Sequence, residues 1–284
     1  MTTSVQQNPE YDNSLFPETF PLPHAIEWGE DDYGLYQVFN FFGVEHGFRW
    51  IPPGRFLMGS PEYEKDRGKY EVQHWVTLTK GFWLAETTVT QALWQAVMGD
   101  NPSEFKAEQN PVERVSWKDA QKFIEKIKTA LPELLLKLPT EAQWEYACRA
   151  GTQTPFWFES ELSLKDANYW GKWDSGDDEN SDNLGKTCEV KRFKPNPWGL
   201  YQMHGNVWEW CEDYWNEDLG REPAVDPTGP KDGALRVVRG GGWFGIGRDL
   251  RSATRKWDDP VIRLNDLGLR LSLGHELQGG GADT

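Results

Sequence analysis

The chain has 284 residues, a formal net charge of −15, and 16 Trp beside 28 Gly and 18 Pro. That length suits one large domain whose core needs no disulfide staples. The acidity argues against sequence-independent nucleic-acid binding and against an anionic membrane surface, both of which need clustered Lys and Arg.

Many Trp with many Gly and Pro point to a loop-rich domain built on aromatic anchors. The cysteines, Cys148, Cys188 and Cys211, are odd in number and have no zinc-site spacing. The N-terminus shows no basic segment followed by an apolar one, and no apolar run approaches the ~20 residues of a membrane span. A cytoplasmic protein with reduced thiols is the expectation.

Residues 1–33 read as an extended leader, 34–273 as the domain, and 274–284 as a frayed tail. Residues 34–51 have strand character on both sides of a turn near Gly43, which predicts an edge hairpin. A turn and a short strand follow at 52–60, then a charged surface loop at 62–73 and two short strands within 74–90. Three helix starts carry their own caps. Thr90 precedes a helix that Gly99 stops, Ser116 with Asp119 forms a capping box, and Thr140 with Gln143 forms another. On the second helix, Trp117, Ala120, Phe123, Ile124 and Ile127 share one face. Beyond residue 151 the pattern is loops and short strands. Trp208 and Trp210 alternate with Glu209, as in a strand with one buried face. The glycines of RVVRGGGW suit tight packing or positive φ.

Several motifs occur together in one order: PPGRFLMGS (52–60), ETTVTQALWQAVMG (86–99), NPVERVSWKDA (110–120), LPTEAQWEYACRAG (138–151), ANYW (167–170), NPWGLYQMHGNVWEWCEDYW (196–215), RVVRGGGW (236–243), RSATR (251–255) and LGLRL (267–271). As a set over residues 47–273 they resemble the formylglycine-generating enzyme, or sulfatase-modifying factor, family. The resemblance implies an α+β, C-type-lectin-like fold with small twisted antiparallel sheets, a few helices and many ordered loops.

Enzymes of that family oxidise a sulfatase cysteine to formylglycine with a cysteine pair that binds copper(I) through soft thiolates. The resemblance places that pair at Gly247 and Ser252, neither of which is a soft ligand. No copper and no catalytic residues are therefore expected, and a formylglycine-generating oxidase is the disfavoured alternative. Cys148 and Cys211 read as inert buried thiols, and Cys188 as a loop thiol of some reactivity. His74 and His204 are the interior histidines, but no G-x-S-x-G elbow pairs either with a serine nucleophile. His204 is expected to bond backbone beside a Gly turn.

The resemblance also implies structural calcium. One site would use Asn168, Tyr169, Asp182 and Leu184, beside the acidic loop 174–183. A second would use Gln202, Gly205, Val207 and Glu209.

The stretch 243–271 has a frame of Trp243, Arg248, Leu250, Arg251, Ser252, Ala253, Arg255, Pro260, Arg263, Leu267, Gly268 and Arg270. Between these stand Phe244, Gly245, Ile246, Asp249, Thr254, Lys256, Trp257, Asp258, Val261, Ile262, Leu264 and Asp266. This layout resembles the variable proteins of diversity-generating retroelements, where adenine-directed mutagenesis rewrites Asn codons. Most of the second set fits such codons; Lys256 and Trp257 need a different template codon. Aromatic and aliphatic anchors among polar residues suit a protein-binding surface. The expectation is a non-catalytic protein with a selectable ligand face; ordinary core packing is the competing reading. The leader leaves room for association with signalling domains.

Overall fold

The computed structural model describes residues 15–158, 161–171 and 183–274. Six strands form an antiparallel sheet in the order β1 (Ala25–Asp31), β2 (Gly34–Phe41), β3 (Val44–Ile51), β6 (Phe82–Ala85), β13 (Ser272–Leu273) and β7 (Leu136–Lys137). A second sheet has the order β11 (Lys256–Asp258), β10 (Arg236–Arg239), β8 (Trp208–Tyr214) and β12 (Leu267–Leu269). A third joins β4 (Gly54–Met58), β5 (His74–Leu78) and β9 (Ala224–Val225). The small sheets are mixed, because β12 lies parallel to β8 and β9 parallel to β5.

The expected hairpin is β2–β3, closed at Phe42 and Gly43, both with positive φ. Part of the segment read as a leader is strand: β1 pairs with β2 from Ala25 to Asp31. Ahead of it, Phe20 stacks on Trp83 at 5.7 Å and the Leu15 carbonyl accepts from Trp50 Nε1 at 2.7 Å. The tail beyond residue 274 lies outside the described residues.

The helices follow their caps. In α1 (Gln91–Met98) the Thr90 hydroxyl accepts from Leu93 N–H, and Gly99 closes the helix at φ 90°. In α2 (Trp117–Ala130) and α3 (Glu141–Arg149) both capping boxes form. The α2 face packs Phe123 flat on Trp94, 5.0 Å between centroids, inside a core shared with the six-stranded sheet. Almost all of α3 is buried, including Glu141, Glu145 and Arg149. It runs through a second core between the two smaller sheets.

Two expectations change. Strand β8 is buried on both faces, because Glu209, between the tryptophans, is as buried as they are. The 62–73 segment is not wholly a surface loop: Glu64 and Glu71 turn inward.

Candidate ligand-binding face

Buried arginines hold the C-terminal stretch, each paired with glutamate from a distant part of the chain. Arg251 meets Glu64 at 2.7 Å and grips both oxygens of Glu71 at 2.7 and 2.8 Å. Arg255 makes a two-pronged pair with Glu141 at 2.6 and 2.8 Å. Arg270 does the same with Glu209 at 2.7 and 2.9 Å, and Arg239 pairs with Glu145. Charge-assisted forks of this kind fix backbone position as well as charge. Burial opposes ionisation of Glu71, but the Arg251 guanidinium and the Ser60 hydroxyl outweigh it and hold the carboxyl below its ordinary value. The sequence pattern marks Arg251, Arg255 and Arg270 as frame, but not Arg239, and gives none of the glutamate partners, which lie 61 to 187 positions away in the Arg270 and Arg251 pairs.

The two sets of residues in 243–271 differ in burial without separating completely. In the frame, Leu250, Arg251, Ser252, Ala253, Arg255, Leu267, Gly268 and Arg270 are buried, Trp243 and Pro260 are half-buried, and Arg248 and Arg263 are exposed. None of the candidate binding residues is buried: Phe244 is 62% and Val261 48% exposed, and Gly245, Ile246, Asp249, Thr254, Lys256, Trp257, Asp258, Ile262, Leu264 and Asp266 are half-buried. Phe244 rests against Trp243 and Trp170 at 5.5 and 5.4 Å. Trp257, on β11, lies 4.5 Å from Trp215 and 5.5 Å from Tyr70. Trp170, Trp215 and Tyr70 come from outside the stretch, and nothing in the sequence pattern places them beside it. Ile262 and Leu264 also pack on the main core, so they are partly structural.

Below Phe244, the single 3₁₀ turn Gly247–Leu250 borders a cleft of about 400 Å³ lined by Lys65, Phe156, Leu162, Tyr169, Gly247 and Arg251 among others. Gly247 thus lines a cavity. Ser252 does not: it is fully buried, its backbone N–H donates to the Pro155 carbonyl at 2.7 Å, and its hydroxyl lies 3.6 Å from Cys148 Sγ. Among the described residues all cysteines are free and buried. Burial pushes the Cys148 thiol up to about 12 and the Cys188 thiol up to about 11, and raises Cys211 well above its ordinary value. Cys188 is therefore not the reactive loop thiol expected. His204 bonds the Leu250 carbonyl at 2.7 Å, as expected of a backbone-binding histidine, and burial lowers it to about 4.

The calcium sets fare differently. In the second, both Glu209 oxygens are taken by Arg270, and Trp144 Nε1 donates to one of them at 2.8 Å. Gln202 Oε1 accepts from Asn206 at 2.8 Å. A cation there would face the Arg270 guanidinium, so Gln202, Gly205, Val207 and Glu209 do not fit calcium. In the first set the Asn168 amide donates to Asn206 and to the Lys186 carbonyl, and the Asn168 carbonyl accepts from Asn206 N–H. Tyr169 and Leu184 are among the described residues, while Asp182 and most of the acidic loop lie outside them.

Comparison with known proteins agrees with this architecture. The chain resembles the mouse formylglycine-generating enzyme, with 32% identity over 209 residues, 71% of this chain and 54% of that one. It spans about half the length of the mouse, bovine and Thermomonospora curvata formylglycine-generating enzymes it matches. Among solved structures, Treponema denticola variable protein 1 superposes with a TM-score of 0.72 at 28% identity, covering 84% of this chain and 98% of that one. PvdO from Pseudomonas aeruginosa superposes with a TM-score of 0.72 at 26% identity, covering 83% and 97%. The fold is therefore the α+β, C-type-lectin-like fold of formylglycine-generating enzymes. Residues 44–273 match the model of the sulfatase-modifying factor enzyme 1-like domain, and the chain belongs to that family.

Proposed function

We propose that this chain is a non-catalytic, protein-binding member of its family, with residues 243–271 as a ligand face diversified by a retroelement. The observation that carries this reading is that eight of the twelve frame residues are buried while none of the candidate binding residues between them is. Side chains that hold the domain point inward to glutamates, and the side chains between them reach solvent. Such a frame keeps its shape when the outward residues change. Phe244 and Trp257, each with an aromatic neighbour, have the character of interface anchors. Likeness to a protein titled a variable protein supports the same reading.

Oxidase chemistry is disfavoured on the residues themselves. Gly247 offers no thiolate, Ser252 is sealed inside, and the buried cysteines are held protonated. An anaerobic copper(I) titration is expected to show no stoichiometric binding; tight binding at one equivalent would overturn the reading. A reverse transcriptase gene and a template repeat matching the codons for 243–271 are expected beside the gene, and their absence would remove diversification. Calcium is assigned to the first set alone. Melting with calcium against chelator is expected to show a stabilisation that Asp182→Ala removes.

A further inference from the structure

Of the buried arginines among the described residues, Arg49, Arg149, Arg239, Arg251, Arg255 and Arg270 each meet a carboxylate. Arg236, on β10, is buried too and makes no ion pair among the described residues. Its residue is 9% exposed, and its guanidinium lies between the Trp117 ring at 3.7 Å and the Tyr214 ring at 3.4 Å.

The three nitrogens of Arg236 differ. Nη1 donates to the Glu212 carbonyl. Nε is sealed from solvent and has no partner. Nη2 also lacks a partner among the described residues, but unlike Nε it reaches solvent. The ring faces fix the guanidinium plane and offset part of its lost hydration, yet they accept no hydrogen bond within that plane. The N–H groups of Nη2 therefore keep their capacity for an acceptor that comes from outside.

The register places this open nitrogen beside the C-terminal ligand face. Arg236 lies directly across the β10–β11 pair from Asp258, so the two side chains share one side of the sheet. Trp117 opens α2, and the next residue, Lys118, donates its N–H to the Pro260 carbonyl at 3.3 Å.

Charge and shape select the ligand. Glu212, whose side chain takes the Gln121 amide at 3.0 Å, and Asp258 both stand near without pairing with Arg236. They oppose a dianion such as phosphate more than a single carboxylate. One open nitrogen also serves a carboxylate better than a phosphate, most of whose oxygens it would leave unmet. A carboxylate on a methylene stem reaches between the two rings, where a main-chain terminus is hindered by its own Cα branch. The net charge of the rest of the molecule is screened beyond about 8 Å.

We propose that Arg236, with Trp117 and Tyr214 at its sides, is a fixed anchor that binds an acidic side chain of a protein seated on the C-terminal face. The source of the carboxylate rests on the reading of that face as protein-binding; the carboxylate site does not. Arg, Trp and Tyr are the residue types in which interface binding energy concentrates.

NMR of the Arg236 side-chain N–H groups in the whole chain, titrated with N-acetylglutamate amide at constant ionic strength, tests the site. N-acetylglutamine amide is the neutral control, N-acetylalanine the chain-terminal carboxylate, and inorganic phosphate the dianion. A saturable shift with the glutamate is expected, a weaker response to N-acetylalanine and phosphate, and none to the glutamine. Arg236→Lys is expected to weaken glutamate binding at least about tenfold while unfolding stays cooperative, because an ammonium cannot lie flat between the rings. Should Arg236→Lys not fold, the four probes on the unaltered chain carry the test. No saturation by the glutamate up to about 100 mM, an equal response to the glutamine, or equal or tighter binding of N-acetylalanine or phosphate would overturn the proposal. Failure here leaves the ligand face to its own tests, and failure of the ligand face leaves the glutamate response standing.

Discussion

Ser252 faces the Cys148 thiol at 3.6 Å inside the domain. A cysteine at 252 is therefore placed for a crosslink with Cys148 rather than for chemistry at the surface. We expect oxidised Ser252→Cys to lose two free thiols and to gain up to about 4 kcal/mol, because the closed loop is roughly a hundred residues long. Thiol counting and melts with and without reductant check this; full retention of free thiols would contradict it. Asp213 offers a second residue-scale test. Burial, then the Glu141 carboxylate, pushes its carboxyl up from 3.8 to about 8, while its Oδ2 accepts the Glu141 backbone N–H at 2.8 Å. Below pH 4 the group is protonated folded or unfolded, and its stabilising contribution is complete. Between pH 4 and 8 the folded protein keeps a proton that the unfolded chain releases, so stability falls as pH rises. Asp213→Asn keeps the acceptor and should flatten that slope in urea denaturation measured across the range. An unchanged slope would assign it to other groups.

At the scale of elements, local signals and distant ones parted company. The three helices were legible because a cap and its partner sit three residues apart, as Ser116 and Asp119 or Thr140 and Gln143 do. Strand β1 was hidden because its alternating Ile26 and Trp28 are about half exposed, so no core-facing stripe marks it. Glu209 looked like the polar face of a strand because its partner, Arg270, lies 61 residues on. Likewise nothing near Glu64 and Glu71 predicts that Arg251, some 180 residues later, draws them inward. Period and spacing report neighbours along the chain; long-range ion pairs leave no such trace. The Arg251 clamp ties the 60–73 segment to the C-terminal stretch. Arg251→Met strands two buried carboxylates and is expected to cost about 3–5 kcal/mol in urea denaturation. The 60–73 segment should then become sensitive to proteolysis; a loss under about 1 kcal/mol would show that the clamp is not needed.

Across the whole molecule, burial within residues 243–271 was legible only in part, since Arg248 and Arg263 of the frame are exposed. Arg251, Ser252, Ala253 and Arg255 are inside; Phe244, Val261 and Trp257 reach out. The supporting aromatics Tyr70, Trp170 and Trp215 were not legible, because only the folded chain brings them to Phe244 and Trp257. Gly242 shows how tightly the frame is built there, since an added Cβ would come within 2.7 Å of the Asp266 carboxylate. If this face exists to vary, the domain must tolerate variation on it. The direct measurement is the thermal unfolding of a library randomised at Phe244, Gly245, Ile246, Asp249, Thr254, Lys256, Trp257, Asp258 and Val261. It is compared with a library randomised at Leu250, Arg251, Ser252, Ala253 and Arg255. Most members of the first are predicted to unfold cooperatively within about 5 °C of the parent, and most members of the second not to fold. Equal loss of folding in both libraries would contradict the claim that the C-terminal stretch is a recognition surface carried on an independent frame.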